Sequence, residues 1–487
     1  MSKYRVLIGL EMHCEISETN SKVFSSAPNG YSDVANCFIS PVDMAFPGVL
    51  PVVNKEAVRK SLMASMILGC TLPSHIYFER KNYYYPDLPK GFQITQETKP
   101  APIGIYGSLT YDCLDYKKTV RVNNIHLEED AAASEHLARE SLINYNRAGV
   151  PLLELVTEPD FRNANEAVSF LETMRSVYQY AGISEADSKK GQVRCDVNIS
   201  LMDVNLDESD MSNWGTKVEI KNVNSFGGVR DAINYEIERQ TSALENGTYS
   251  SEVIQETRRW DEESFSTISM RSKADAIDYK YFVEPNIPKY KLTSSWIDSI
   301  RASIPELGFE RKEKYVSKLG LSNYDATILV KEKEVSDYFE SCLKEGTDAK
   351  MASNWITSII LGYLNKSNLS ISSLFVTPKM LCELIDKVST KVISSKQGKE
   401  VLYKAIETEV SPLSIIEKEG LTQIGDSSEI LSFVIEVLNE NEDMIAKYKA
   451  GRTNVIDFFV GQVMKKTRGK ANPGITMDLF KSEIDKR

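Results

Sequence analysis

Histidine is scarce in this chain of 487 residues: there are four. The seven cysteines (Cys14, Cys37, Cys70, Cys113, Cys195, Cys342 and Cys382) are scattered and form no C-x-x-C pair. That scatter fits reduced, mostly buried thiols better than a zinc site or a disulfide framework. No apolar run reaches the roughly 18 residues needed to cross a bilayer, and no charged-then-apolar segment opens the chain. A cytoplasmic protein with no membrane partner is therefore expected. The common nucleotide and metalloprotease signatures are missing: there is no G-x-x-x-x-G-K-[ST], no G-x-G-x-x-G and no H-E-x-x-H. Positive charge is also in deficit. A net charge of −11 and a pI near 5.2 exclude a generic polyanion binder, so any nucleic-acid contact must come from a local basic patch. Tandem repeats and low-complexity tracts are absent as well.

What is present is a soluble globular composition, 42% hydrophobic and 26% charged, on a chain long enough for two to four domains. The stretch Val122–Pro159 is the most informative. It holds two strand-like pieces joined by a polar connection. In the first, His126, Glu128 and Asp130 follow one another at period two, with Glu129 pointing the other way. In the second, Leu152, Glu154 and Val156 share one face and Leu153 and Leu155 the other. A carboxylate among leucines is costly to bury unpaired, so a cationic group is expected to meet Glu154 and one of Glu128 and Glu129.

The same alternation recurs elsewhere. Residues 4–16 put Val6, Ile8, Leu10 and Met12 on one face and Glu11, His13 and Glu15 on the other. Residues 192–201 set Val193, Cys195, Val197, Ile199 and Leu201 against Arg194, Asp196, Asn198 and Ser200. Residues 216–222 set Val218 and Ile220 against Lys217, Glu219 and Lys221. If these five strands share a sheet, their acids converge. Two carboxylates 4 Å apart repel by about 4 kcal/mol at an effective dielectric near 20, so such a group needs a cation. Oxygen donors in that number suit Mg²⁺, and His13 admits Mn²⁺ or Zn²⁺. Lys81, Arg194, Lys217 and Lys221 are placed to meet phosphates around such ions. The competing reading is that the strands do not adjoin and the acids are ordinary surface charges.

Loop-rich segments cover residues 25–54 and 80–105. Within the second, residues 80–95 pack Arg80, Lys81, Lys90, three tyrosines and two prolines into a stiff run that suits a nucleotide or an RNA end, or whose tyrosines pack on the sheet. Asn163 with Glu166 marks a helix start and Gly182 its stop. A second helix carries Val229, Ile233, Ile237, Gln240 and Leu244 and ends at Gly247. Beyond about Pro288 helical periodicity dominates, as in Lys312–Leu319 and Met351–Leu364. After an acidic stretch from Glu436 to Asp443 comes the one sustained basic run: Lys447, Lys449, Arg452, Lys465, Lys466, Arg468 and Lys470 face only Asp457.

IGLEMH (8–13), FPGVLPVVN (46–54), RKNYYYPDLPKG (80–91), IHLEEDA (125–131), NYNRAGVPLLELV (144–156), RCDVNIS (194–200), VEIKNVNSF (218–226) and QETRRWDE (255–262) closely resemble the GatB family, the B subunits of tRNA-dependent amidotransferases. The resemblance spans nearly the whole chain. It implies an α+β architecture in three parts: a cradle domain on an antiparallel sheet with helices over residues 1–292, an all-α domain over 293–405, and a YqeY-like tRNA-binding tail over 406–487. It implies partners, an amidase A subunit and a small C subunit, and misacylated Glu-tRNA(Gln) or Asp-tRNA(Asn) as substrate. In the family, ATP phosphorylates the side-chain carboxylate and ammonia displaces the phosphate. Onto that chemistry the resemblance maps metal ligands Glu11, His13, Glu128, Glu129, Glu154, Asp196 and Glu219, with Glu128, Glu129 and Glu154 catalytic. ATP and Mg²⁺ are the expected cofactors, with Mn²⁺ as an alternative ion.

Three departures stand out. The family's C-P-x-C is here Ser40-Pro41-Val42-Asp43, so a zinc knuckle is not expected. Its E-E-D-A-G-K is here EEDAAA, with Ala132 and Ala133, and its D-x-N-R begins with Asn144. Two other classes compete with the ligase reading: a tRNA-binding scaffold whose chemistry lies in a partner, and a metal-dependent nucleic-acid hydrolase. Cys14 adjoins His13, but strand neighbours point to opposite faces, so no nucleophile for glutamine hydrolysis is evident and ammonia must come from outside.

Overall fold

The computed structural model describes residues 3–137, 139–223, 225–272, 278–367, 369–421, 427–449, 455–467 and 471–486. Two compact units divide the chain, Met1–Leu307 and Gly308–Arg487.

The first unit is built on β1 (Tyr4–Glu15), β2 (His75–Ile76), β3 (Glu79–Asn82), β4 (Phe92–Thr95), β5 (Gly104–Cys113), β6 (Tyr116–Glu129), β7 (Ala133–His136), β8 (Ser141–Asn144), β9 (Pro151–Thr157), β10 (Val193–Asp203), β11 (Val218–Val223), β12 (Glu256–Asp261), β13 (Ser266–Ser272), β14 (Phe282–Val283) and β15 (Tyr290–Lys291). Eight of these form one sheet in the order β13-β12-β11-β10-β1-β9-β6-β5. Its pairings are antiparallel except β11 with β12, which is parallel. A parallel pair needs a long crossover, and the helix Phe226–Asn246 supplies it.

Alternation decides which side of the sheet is dry. Leu10, Met12 and Cys14 of β1, Ile125 and Leu127 of β6, Leu153 and Leu155 of β9, Val193, Cys195 and Val197 of β10, and Val218 and Ile220 of β11 enter one core. Helices α1 (Lys55–Ile67), α2 (Ala164–Tyr180) and α3 (Phe226–Asn246) pack on these strands. Their ends follow local chemistry. Asn54 caps α1 by accepting the Glu56 and Ala57 N–H groups, and Asn163 caps α2 by accepting that of Glu166. Gly182, just beyond α2, and Gly247, at the end of α3, take the left-handed conformation at φ of 62° and 73°.

Residues 25–54 are irregular and are pinned from beneath. Lys22 is fully buried and its Nζ lies 3.6 Å from Asp43 Oδ2. Asp43 also accepts from Ser25 Oγ at 3.0 Å and from Ser40 Oγ and N–H at 2.8 Å. Gly149 closes over this pair with φ of 82°, and a Cβ there would stand 2.7 Å from Asp43 Oδ1.

The first core runs past residue 292. Ile300 and Leu307 are buried in it, with Trp296 and Ile297 packed against it. The chain does turn helical near Pro288, but the helix Ser294–Ala302 lays its apolar side on α1, so the change of periodicity is not the end of the unit.

In the second unit the described residues form helices and their connections. One apolar cluster runs from Tyr315 to Ile416 and another from Ile430 to Ile484. A division at 405 would strip Ile415 and Ile416 from the first cluster, because the helix Pro412–Glu419 packs on the helices Pro378–Ser389 and Ser395–Thr408. No described helix is long and apolar enough to cross a membrane.

Candidate catalytic and metal centre

The five acid-bearing strands are contiguous: β11, β10, β1, β9 and β6 lie side by side in that order. Register then lines up their polar residues. His126, Glu154, His13 and Arg194 form one row across β6, β9, β1 and β10. Glu11 faces Asp196, and Asn198 faces Glu219. The acids resolve into two groups whose ligand atoms lie within 4.8 Å of one another: His13 with Glu128 and Glu154, and Glu11 with Asp196 and Glu219.

In the first group Glu154 sits between two imidazoles. Its Oε2 lies 3.1 Å from His13 Nε2 and 3.2 Å from His126 Nε2. Glu128 Oε2 is 3.7 Å from His126 Nε2 and accepts from Thr95 Oγ1 at 3.1 Å. Burial opposes charge on both rings, yet the neighbouring carboxylates, Glu154 foremost, outweigh it and raise His13 to about 9 and His126 to about 10. Burial likewise opposes charge on Glu154, but the two rings hold its carboxyl well below the usual range.

The second group is all oxygen. Asn198 Nδ2 donates to Glu11 Oε1 at 2.8 Å, and Thr257 Oγ1 donates to Glu219 Oε2 at 2.8 Å. Lys221 Nζ lies 2.7 Å from Asp196 and 3.1 Å from Glu219. Burial and the Glu154 charge raise the Glu11 carboxyl, against the pull of Asn198 and Lys221. Each group also holds one orphaned polar atom. His126 Nε2 and Asn198 Oδ1 are shielded from solvent and make no hydrogen bond.

Glu129 does not join them. It follows Glu128 on an alternating strand, so it leaves the other side of β6, where it is bonded to Lys90 and accepts the Ile94 N–H at 2.8 Å. Of the two neighbouring glutamates, only Glu128 reaches the cluster. Sequence reasoning did not assign His126 to the site. Its period-two spacing from Glu128 was visible in the sequence, but the register against Glu154 was not.

Residues 6–298 match the family model described as the GatB/GatE catalytic domain, and residues 337–484 match the GatB domain. This chain belongs to the GatB/GatE family. It is similar to the B subunit of the aspartyl/glutamyl-tRNA(Asn/Gln) amidotransferase of Brevibacillus brevis, at 40% identity over 487 residues and 100% of each chain. It is also similar to the proteins of that name from Bacillus cereus, 42% identical over 99% of each chain, and Halalkalibacterium halodurans, 42% identical over 99% of this chain and 100% of the other.

The GatB/GatE sheet places the expected phosphate-contact residues unequally. Arg194 lies on the acid face and donates to Asp130 at 2.6 Å, a carboxylate that Arg147 also approaches at 3.5 Å. Lys221 is held within the second acid group. Lys81, on β3, bonds Glu97 at 2.7 Å. Burial opposes its charge, but the Glu97 and Glu128 carboxylates keep it firmly protonated. Lys217 is exposed just before β11. In the basic run, Arg452, Arg468 and Lys470 lie outside the described residues, as do the side chains of Lys447 and Lys449. Lys465 and Lys466 end the helix Val455–Lys466, and Lys466 bonds Glu436 at 2.8 Å and Glu440 at 2.6 Å. Lys466 is therefore neutralised by the acidic stretch that precedes it, and Lys465 beside it is exposed.

Proposed function

We propose that this chain is the B subunit of a tRNA-dependent amidotransferase, an ATP-dependent carbon–nitrogen ligase. It phosphorylates the side-chain carboxylate of Glu-tRNA(Gln) or Asp-tRNA(Asn) and then amidates it to Gln-tRNA(Gln) or Asn-tRNA(Asn). One observation carries the reading: two groups of carboxylates converge on one face of a sheet, each with a buried polar atom left unsatisfied. Like charges on adjacent strands are unfavourable, so the arrangement favours a cation. The donors fit. Glu11, Asp196, Glu219 and Asn198 Oδ1 are the oxygen set that suits Mg²⁺, and His13, Glu128 and Glu154 also admit Mn²⁺.

Such ions supply the positive charge that phosphoryl transfer requires, a reaction that depends more on positioning than on a covalent nucleophile. Glu128 and Glu154 hold the ligand positions, steadied by Thr95 and by the flanking imidazoles. Arg194 and Lys217, both partly or fully open to solvent, provide phosphate contacts. A carboxylate is a poor acyl donor because oxide leaves badly, and phosphorylation turns that oxygen into a leaving group. The product acyl phosphate must be shielded from water until ammonia arrives.

Ammonia comes from a partner. Cys14 adjoins His13, but its side chain enters the apolar core, and burial pushes its thiol up to about 12. A thiol so far from ionisation, on the opposite side of the strand from the imidazole, cannot release ammonia from glutamine. The amidase A subunit is the source, with a small C subunit completing the heterotrimer. The stiff segments 46–54 and 80–95, with Phe46, Leu50, Val52, Tyr84 and Tyr85 exposed, form the surface assigned to the A subunit. The test is to supply ammonium. The purified chain, alone or with C, should amidate misacylated tRNA with ATP and ammonium and not with glutamine, and adding A should restore glutamine use. Glutamine-driven amidation by the chain alone would overturn the assignment.

A further inference from the structure

His126 is 1% exposed and its Nε2 has no hydrogen-bond partner, yet that atom faces two carboxylate oxygens, 3.2 Å from Glu154 and 3.7 Å from Glu128. We propose that His126 is a ligand of the ion held by Glu128 and Glu154, and that Asn124 is the residue that makes it one. The inference rests on the metal reading above and goes beyond the residues that the sequence assigned.

The tautomer is set locally. His126 Nδ1 lies 2.9 Å from Asn124 Oδ1, and the Asn124 amide nitrogen donates to Asn123 Oδ1 at 3.2 Å, which decides which end of the amide faces the ring. An amide oxygen only accepts, so the ring donates from Nδ1 and its lone pair falls on Nε2. A lone pair held against two carboxylates is repulsive unless a cation lies between them. Without an ion a proton takes this position, and ion binding displaces it. The spacing suits an ion: donors about 2.1 Å from one centre stand roughly 3.0–3.5 Å apart, close to the separations seen. A ligating histidine whose other nitrogen is anchored by an oxygen acceptor is the usual arrangement at metal sites.

The consequence is a division of labour between the two acid groups. Around Glu154, nitrogen donors stand on both flanks, His13 and His126. Around Glu11, Asp196 and Glu219 the donors are all oxygen. The first group should therefore prefer a first-row transition ion such as Mn²⁺ over Mg²⁺, and the second should not.

The experiment uses the full chain assembled with its partner subunits. Mn²⁺ and Mg²⁺ binding are measured by titration, and bound Mn²⁺ is examined by electron spin-echo spectroscopy for modulation from histidine nitrogen. His126→Gln should weaken Mn²⁺ binding at one site by more than about tenfold, reduce the nitrogen modulation, and change Mg²⁺ binding far less. Asn124→Ala, which frees the tautomer, should weaken Mn²⁺ binding by about tenfold. Asn124→Asp, which keeps an acceptor, should restore it. A folded His126→Gln protein with wild-type Mn²⁺ affinity and modulation overturns the proposal. If His126→Gln does not fold, equal Mn²⁺ affinity in wild type, Asn124→Ala and Asn124→Asp overturns it instead. A wild-type complex that binds no divalent ion would remove the metal reading itself, an outcome distinct from wild-type binding that is indifferent to His126.

Discussion

The two units handle charge in opposite ways. In the first, charged residues are taken inside: Lys22, Glu128, Glu129, Glu236, Glu256 and Glu284 are all buried, and each has a charged or hydrogen-bonding partner. Among the described residues of the second unit, no Asp, Glu, Lys or Arg is buried. Its ion pairs, such as Lys333 with Asp337 and Lys466 with Glu436 and Glu440, lie on outer helix faces. The difference follows from geometry. A sheet with one apolar face presents every second residue on the other, and neighbouring strands stack those residues into a field. The helices of the second unit send their charged residues outward, where water screens them, whereas in the first unit even Glu236 on α3 is enclosed and paired with Arg239. The first unit can therefore set dehydrated charges against one another, which chemistry needs. The second offers screened charges, which suit salt-dependent contact with a polyanion.

Breaking the first unit's network should have the largest effect. Glu154→Ala should lower ATP-dependent amidation by at least about a hundredfold, the scale for removing one preorganised electrostatic group. Circular dichroism should show a folded protein, because Leu153 and Leu155 still enter the core. Normal ATP turnover by this variant would sink the metal assignment. Lys22→Met comes next. It leaves Asp43 buried without its cation, a change that costs about 3–5 kcal/mol of stability. Denaturant unfolding should show that loss, and combining it with Asp43→Leu should recover much of it. If Lys22→Met is as stable as wild type, buried charge is not what pins residues 25–54.

Effects in the second unit should be smaller and should depend on salt. Removing residues 427–487, a cut that spares Ile415 and Ile416, should weaken aminoacyl-tRNA binding by about tenfold and flatten its salt dependence by about one logarithmic unit per lost phosphate contact. Divalent-ion binding should be unaffected. An unchanged salt slope would show that the tail is not the tRNA anchor. Smallest of all, Lys466→Ala should leave the melting temperature unaltered, since its partners are exposed and well solvated. A clear drop in Tm would mean that the two units do not differ as described.

Much of the acid-bearing face was legible in the sequence because strand alternation is a strict rule. Glu154 among Leu152, Leu153 and Leu155 had to face away from the core, and Glu11, His13, Asp196 and Glu219 followed by the same logic. Helix ends were legible too, since Asn163 and Gly247 act on backbone groups within a few residues. Glu129 shows the limit. It resembles Glu128 in every local respect, and only the packing of β4 against β6 gives it to Lys90 and Ile94. His126 shows the converse. Nothing in its own segment says that Glu154 will stand opposite it. The unit boundaries misled for a related reason: periodicity changes near 288, but the helix Ser294–Ala302 still buries its apolar side in the first core.

Local patterns thus settled which residues face the core, where helices begin and end, and that five strands each carry acids on their polar side, because these depend on side-chain period and on hydrogen bonds over a few residues. Strand order and register, which join His126 to Glu154 and Glu11 to Asp196 across gaps of 28 and 185 positions (154 − 126 and 196 − 11), were decided only by the fold, because they depend on which distant segments pair.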